Sequence, residues 1–501
     1  MNLSSKILSV SLLLTSFLVQ SQNYKQVTST SKLFKVSVKD VLGHIDKSTE
    51  SINNPVKCVN DFQKAYQVLY NFDSKEANLP GIADNELTEL VTSSFNLRLK
   101  IKDKLKDLDI NHSSGEACLS SIKEIVKALR YVEDYFIEYQ YKRSGRDQEE
   151  FITLAGKGIH FLKSKDYNLN DYNDLKSGDI LITRGNAYSS AAIARIGLDD
   201  YQFSHMSLIY RDVKDALYTS EAHIEIGSVN APIQVHLDQN NARTIVFRHK
   251  DFALAKRASK FTFNHIKEHK KNHGFNIEYD FGMDLSSNSR LFCTEVAYVG
   301  YLNAAKEMYG EALKIPLYKT KFDEKHLKFL NEVGIAVNDS TVGSFETFGP
   351  GDIQFDSRFE MIAEWRDPTK LKDTRFKDAI LTKLFEWMDK ENYYFKTSFG
   401  NKLKNNFAWL MRRTKLTSSL FGLKNKFPLN MKVHQMNLFV NLDVVGEILY
   451  QELERNQLKS MAPLTFKELY NILEDFRVKD FALYKKKKRK AKFHRIFHKM
   501  K

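Results

Sequence analysis

Phe203-Ser204-His205-Met206-Ser207-Leu208-Ile209-Tyr210 is followed by Arg211-Asp212-Val213-Lys214-Asp215 and then by Ala216-Leu217-Tyr218-Thr219-Ser220-Glu221. Two apolar-rich runs around a five-residue, mostly polar connection read as a β-hairpin. In a symmetric hairpin partner positions sum to a constant, so Tyr210 opposite Ala216 puts His205 opposite Glu221. The two side chains then share a face with Cβ atoms about 4.5–5.5 Å apart. At that distance the carboxylate can accept an imidazole N–H, which fixes the tautomer and makes the other nitrogen more basic. A slip of one residue would move them to opposite faces. If the second strand continues, His223 and Glu225 also fall on the Glu221 face and compete for the orienting role.

Outward from this hairpin, Asp174-Leu175-Lys176-Ser177-Gly178-Asp179-Ile180-Leu181-Ile182 reads as a turn entering a strand. Residues 244–248 and 358–365 read as further strands, and 253–269 as a helix. A mixed α+β core from 155 to 370 accommodates them, with an antiparallel sheet packed with helices. The flanks are mainly helical. Leu119, Ile122, Ile125, Val126, Leu129, Val132 and Phe136 make one apolar helical stripe. Beyond Pro368 the chain is again helix-like, as in Leu381-Thr382-Lys383-Leu384-Phe385-Glu386-Trp387-Met388. The expected division is a signal segment 1–21, a helical domain 22–154, the core 155–370, a helical region 371–484 and a basic tail 485–501.

With 42% hydrophobic and 28% charged residues and only 8 prolines in 501, the composition is globular. It excludes low-complexity and multispanning membrane classes. The net charge is +14, but ten positive charges and no acidic one lie in the last 17 residues, leaving +4 for the rest. The tail could meet an anionic membrane surface. Export makes nucleic acid an improbable partner. Lys6, the apolar run Ile7–Val19 and Val19-Gln20-Ser21 have the form of an export signal, with the mature chain starting near Gln22. A periplasmic or envelope location is therefore expected. In an oxidising compartment Cys58 and Cys118 could bridge, closing a loop of about 60 residues. Cys293 would then be the odd thiol.

Cys293 stands in Arg290-Leu291-Phe292-Cys293-Thr294-Glu295-Val296, where a Ser- and Asn-rich loop gives way to a helix-like run. A thiol at a helix start feels the positive end of the helix dipole, which favours thiolate. Cys293 as nucleophile, His205 as base and Glu221 as orienting group supply what thiol catalysis needs. The close-spaced ligand pairs of a zinc site are missing, so neither metal nor cofactor is expected.

These stretches resemble the circularly permuted papain-like hydrolases, the NlpC-type, YiiX-like group. The matching motifs are Leu175-Lys176-Ser177-Gly178-Asp179-Ile180-Leu181, Phe203-Ser204-His205, Glu221-Ala222 with Gly227-Ser228-Val229, Tyr279-Asp280-Phe281, Phe292-Cys293-Thr294-Glu295 and Glu364-Trp365-Arg366. They follow in order over 172–368. The resemblance implies a permuted papain-like domain, with Cys293 as nucleophile, His205 as base and Glu221 as third member. The His223-Ile224-Glu225 sequence departs from the family pattern. The expected function is an exported cysteine amidase or peptidase acting on an amide- or ester-bearing envelope substrate, such as cell-wall peptide. The alternatives are a lipid-acyl hydrolase or acyltransferase, and a non-catalytic envelope binding protein on a hydrolase scaffold.

Overall fold

The structure is a computed structural model that describes residues 38–71, 81–110, 113–144, 160–239, 241–396, 409 and 428–499. The expected signal segment and the expected boundary at 154/155 lie outside the described residues. From Val38 onward the described residues form one compact α+β unit.

Helices α1 (Val38–Ser48), α2 (Pro55–Tyr70), α3 (Asp84–Lys104) and α4 (Ser113–Ser144) come first. A seven-stranded sheet follows: β1 (His160–Lys163), β2 (Ile180–Gly185), β3 (His205–Arg211), β4 (Leu217–His223), β5 (Gly227–Pro232), β6 (Asn241–His249) and, much later, β9 (Phe359–Arg366). Its order is β1-β9-β6-β2-β3-β4-β5, antiparallel throughout. Short helices α5 (Tyr188–Ile193) and α6 (Ile233–Leu237) sit between strands. The long helices α7 (Phe252–His273) and α8 (Glu295–Tyr309) precede the β7 (Thr320–Lys321) and β8 (Glu346–Thr347) ribbon, with α9 (Leu327–Val333) between. The chain ends with α10 (Pro368–Glu391), β10 (Tyr393–Phe395), α11 (Val433–Gln457), α12 (Phe466–Lys486) and β11 (Phe497–Lys499). No helix among the described residues is long and apolar enough to cross a membrane.

Strand alternation explains how one sheet serves two cores. Ile180, Ile182, Met206, Leu208 and Ile245 join the large core shared with the flanking helices. Leu181, Ile209 and Val246 join a smaller one with Leu175 and Trp365. The Gly178-Asp179 turn before β2 is required by geometry. Gly178 has φ +92°, and a Cβ there would lie 2.5 Å from Ala255. Asp179 accepts the Lys176 N–H at 2.8 Å and two Arg248 N–H groups, each at 2.7 Å. Cys58 and Cys118 are bonded, with Cα atoms 5.6 Å apart, and join α2 to α4.

Buried charges join the helical flanks to the sheet. Glu133 of α4 accepts Arg98 of α3 at 2.9 and 2.7 Å. Arg366 of β9 reaches Asp134 at 2.7 Å and Glu364 at 2.9 Å. Arg98 also pairs with Glu364. Asp378 of α10 holds Arg184 at 2.7 Å and Arg195 at 2.9 Å. Each of these residues is at most 5% exposed. Burial pushes the Glu364 carboxyl up, but Arg366, Arg98 and Arg130 outweigh it and hold the group below the usual carboxylate range.

The basic C-terminal segment, expected as a separate tail, folds back instead. β11 pairs with β10, and Phe493, His494 and Phe497 are buried. His494 contacts Asp480 at 2.8 Å and the Tyr393 hydroxyl at 3.1 Å. Apolar residues interleaved among the cations anchor this segment, while Lys485–Lys490 stay exposed.

Removing one partner from a buried ion cluster leaves uncompensated charge, so Glu364→Ala should lower unfolding free energy by about 3–5 kcal/mol. Urea titration followed by tryptophan fluorescence measures this. A loss below about 1 kcal/mol would show that the cluster does not join helices to sheet energetically.

Candidate active site

The hairpin forms with its loop one residue later than the sequence suggests. Asp212 starts the loop: its Oδ1 accepts the N–H groups of Lys214 and Ala216, both at 2.9 Å. Arg211 stays in β3, where its N–H bonds Ser177 Oγ at 2.9 Å. The register therefore pairs Ser207 with Glu221, not His205 with Glu221. The shift is two residues, so the face is preserved. His205 and Glu221 meet on the diagonal, with His205 Nε2 2.8 Å from Glu221 Oε2.

Glu221 is the hub of the site. Its Oε1 accepts the Thr219 hydroxyl at 2.6 Å. Its Oε2 also faces His236 Nδ1 at 3.1 Å, His223 Nε2 at 3.4 Å and Gln239 Nε2 at 3.4 Å. Burial alone would raise this carboxyl, but His236, His205 and His223 hold it well below the usual carboxylate range. Burial pushes the His205 imidazole down from its ordinary value, against the pull of Glu221 in the other direction. His223 stacks on His205 with ring centroids 4.9 Å apart; Glu221 raises it despite burial. Glu225 is exposed in the turn after β4. Sequence reasoning did not single out Thr219, His236 or Gln239. Thr219 shares the strand parity of Glu221, a signal that was available. His236 and Gln239 come from α6 and the turn after it, whose approach no local pattern announces.

The Cys293 loop is tied down from β5. The Ser228 N–H donates to Ile277 O at 2.8 Å. Gly227, at φ +74°, has no room for a Cβ, which would fall 2.1 Å from that same carbonyl. Tyr279 then bridges Leu291 in parallel, fixing the chain two residues before Cys293. The β3–β4 ladder ends at Ser207–Glu221, and beyond it the Met206 N–H is close enough to the thiol to pull its pKa down. Met206 is the residue after His205, so the thiol lies at the same end of β3 as the His205–Glu221 pair. The Cys293 and Thr294 N–H groups and the Tyr279 hydroxyl pull the thiol in the same direction. No His205–Cys293 hydrogen bond is formed among the described residues.

Two expectations change. Cys293 lies two residues before the first helical residue of α8 and is 2% exposed. Burial pushes its thiol up to about 12, outweighing the N–H groups and the Tyr279 hydroxyl that pull it down. The helix-start effect does not produce a resting thiolate. Glu295, the first residue of α8, is fully buried and pushed up to about 9 by burial, so it stays protonated at neutral pH. His205, Glu221 and His223 also present ligand atoms within 4.8 Å of one another, a donor set that the absence of close-spaced sequence pairs had argued against.

No protein-family model, no curated protein and no solved structure matches this chain.

Since the thiolate is the nucleophile, the raised thiol sets a pH signature. Iodoacetamide should alkylate native Cys293 at pH 7 roughly three thousandfold more slowly than the urea-unfolded chain, given a native thiol pushed up to about 12 and an ordinary thiol near 8.5. The native rate should climb about tenfold per pH unit from 7 to 10. Equal native and unfolded rates at pH 7 would contradict the burial effect.

Proposed function

We propose that this chain is an exported thiol hydrolase in which Cys293 attacks an amide or ester carbonyl, His205 is the base and Glu221 orients it. The observation that carries this reading is the His205 Nε2–Glu221 Oε2 contact at 2.8 Å, at the strand end where the Met206 N–H pulls the Cys293 thiol down. The likeness to circularly permuted papain-like hydrolases belongs to the same proposal. The Cys58–Cys118 bond supports export, since such bonds persist in oxidising compartments.

With Nε2–H given to Glu221, Nδ1 of His205 is the basic nitrogen. It takes the Sγ proton as sulfur bonds to the carbonyl carbon and the C=O π pair moves to oxygen. The resting pair is neutral, so deprotonation accompanies attack. Backbone N–H groups near Cys293 hold the oxyanion. The tetrahedral centre collapses, expels the amine or alcohol and leaves an acyl thioester; His205 gives the leaving group its proton. Water, deprotonated by His205, then releases the acid and restores the thiol. Catalytic hydrogen bonds are often long before substrate arrives, which accommodates the unmade His205–Cys293 bond.

The substrate class proposed is an envelope amide such as cell-wall peptide. Exposed Lys485–Lys490 favour a second reading, an acyl substrate presented on an anionic envelope surface.

With a small activated thioester as reporter, Cys293→Ala should fall to background, and His205→Ala should lower kcat/KM by about 10²–10⁴. Parental turnover by Cys293→Ala would overturn the proposal.

A further inference from the structure

The surroundings of Glu221 Oε2 are oversubscribed. A carboxylate offers about four lone-pair positions over two oxygens, hence about two on each. Four nitrogens approach Oε2: His205 Nε2 at 2.8 Å, His236 Nδ1 at 3.1 Å, and His223 Nε2 and Gln239 Nε2, each at 3.4 Å. Each imidazole nitrogen aimed there must carry its proton at that position or set its own lone pair against the carboxylate. A cation at the convergence point removes the conflict, because it takes the lone pairs of two imidazoles and the carboxylate together.

We propose that His205, Glu221 and His223 form a binding site for a divalent transition metal of the zinc class. The ligand atoms lie within 4.8 Å of one another. Tetrahedral zinc with bonds of about 2.0–2.2 Å sets its donors about 3.3 Å apart. The His223–Glu221 separation of 3.4 Å already meets this, and the His205–Glu221 separation of 2.8 Å needs to open by only a few tenths of an ångström. Two imidazoles with one carboxylate suit zinc better than magnesium or calcium, which take oxygen ligands. The hydroxyl of Thr219, at 2.6 Å from Oε1, holds the carboxylate from behind, the kind of outer support that metal-binding carboxylates receive. The side chains of His205 and His223 are 17% and 24% exposed, which gives an ion an entry path and leaves a fourth position open.

Metal binding here excludes base catalysis by His205, because with the ion on Nε2 the neutral ring carries its proton on Nδ1, the nitrogen that would otherwise take the thiol proton. Zinc is therefore an inhibitor of the proposed hydrolase. That consequence rests on the thiol-hydrolase reading; the binding itself does not.

Isothermal titration of the chelator-treated full chain with Zn²⁺ tests binding without reference to activity. One ion per chain is expected at this site, weakened at least tenfold in Glu221→Gln and in the more exposed His223→Ala. It should be retained in Cys293→Ala. It should also be retained when the α7 pair His269 and His273, whose rings lie 4.5 Å apart, is replaced by Ala. Absence of binding to the parent, or binding unchanged by His223→Ala, overturns the proposal. Chelator-reversible loss of thioester turnover on Zn²⁺ addition then reports the inhibition separately.

Discussion

Everything at the working end of the sheet depends on one buried ionic cluster. Arg98, Glu133 and Asp134 come from the N-terminal helices, Glu364 and Arg366 from β9, Arg243 from β6, and Asp378 from α10. Gln202, three residues before His205, has a left-handed φ of +63°, uncommon for a side-chain-bearing residue. The cluster holds it there: Arg130 donates to its side-chain oxygen at 2.7 Å and Arg243 to its carbonyl at 3.2 Å. The helical flanks thus set where β3 begins. β3 in turn presents His205 and the Met206 N–H. The flanks are part of the site's support as well as its neighbours in sequence.

The parts legible in the sequence were those with short-range rules. Strand parity put His205 and Glu221 on one face, and parity survived a two-residue register shift. Asp212 caused that shift by capping the loop with its side chain, a choice that hydrophobic alternation alone does not express. Oxidising-compartment logic paired Cys58 with Cys118 and left Cys293 over. The ion cluster was not legible, because Glu133, Asp134 and Asp378 sit on helices where charges ordinarily face water. The C-terminal cations likewise hid the anchoring role of Phe493, His494 and Phe497.

Burial decides the chemistry more than local sequence does. The helix start near Cys293 favours thiolate, but loss of solvent around this buried residue is the larger effect and leaves a neutral thiol. His205 shifts the opposite way for the same reason, since burial penalises the imidazolium. Thiol and imidazole are therefore both neutral at rest. Glu221, kept ionised by its histidines, supplies a fixed charge that would stabilise an imidazolium in the proposed reaction. The same carboxylate, ringed by nitrogens, is suited to a cation.

The most direct measurement is the intact mass of the protein after brief exposure to an envelope extract and rapid acid quench, followed by peptide mapping. The account predicts a substrate-derived acyl adduct on Cys293 that is absent from Cys293→Ala. An adduct on any other residue, or none while substrate is being consumed, would contradict it.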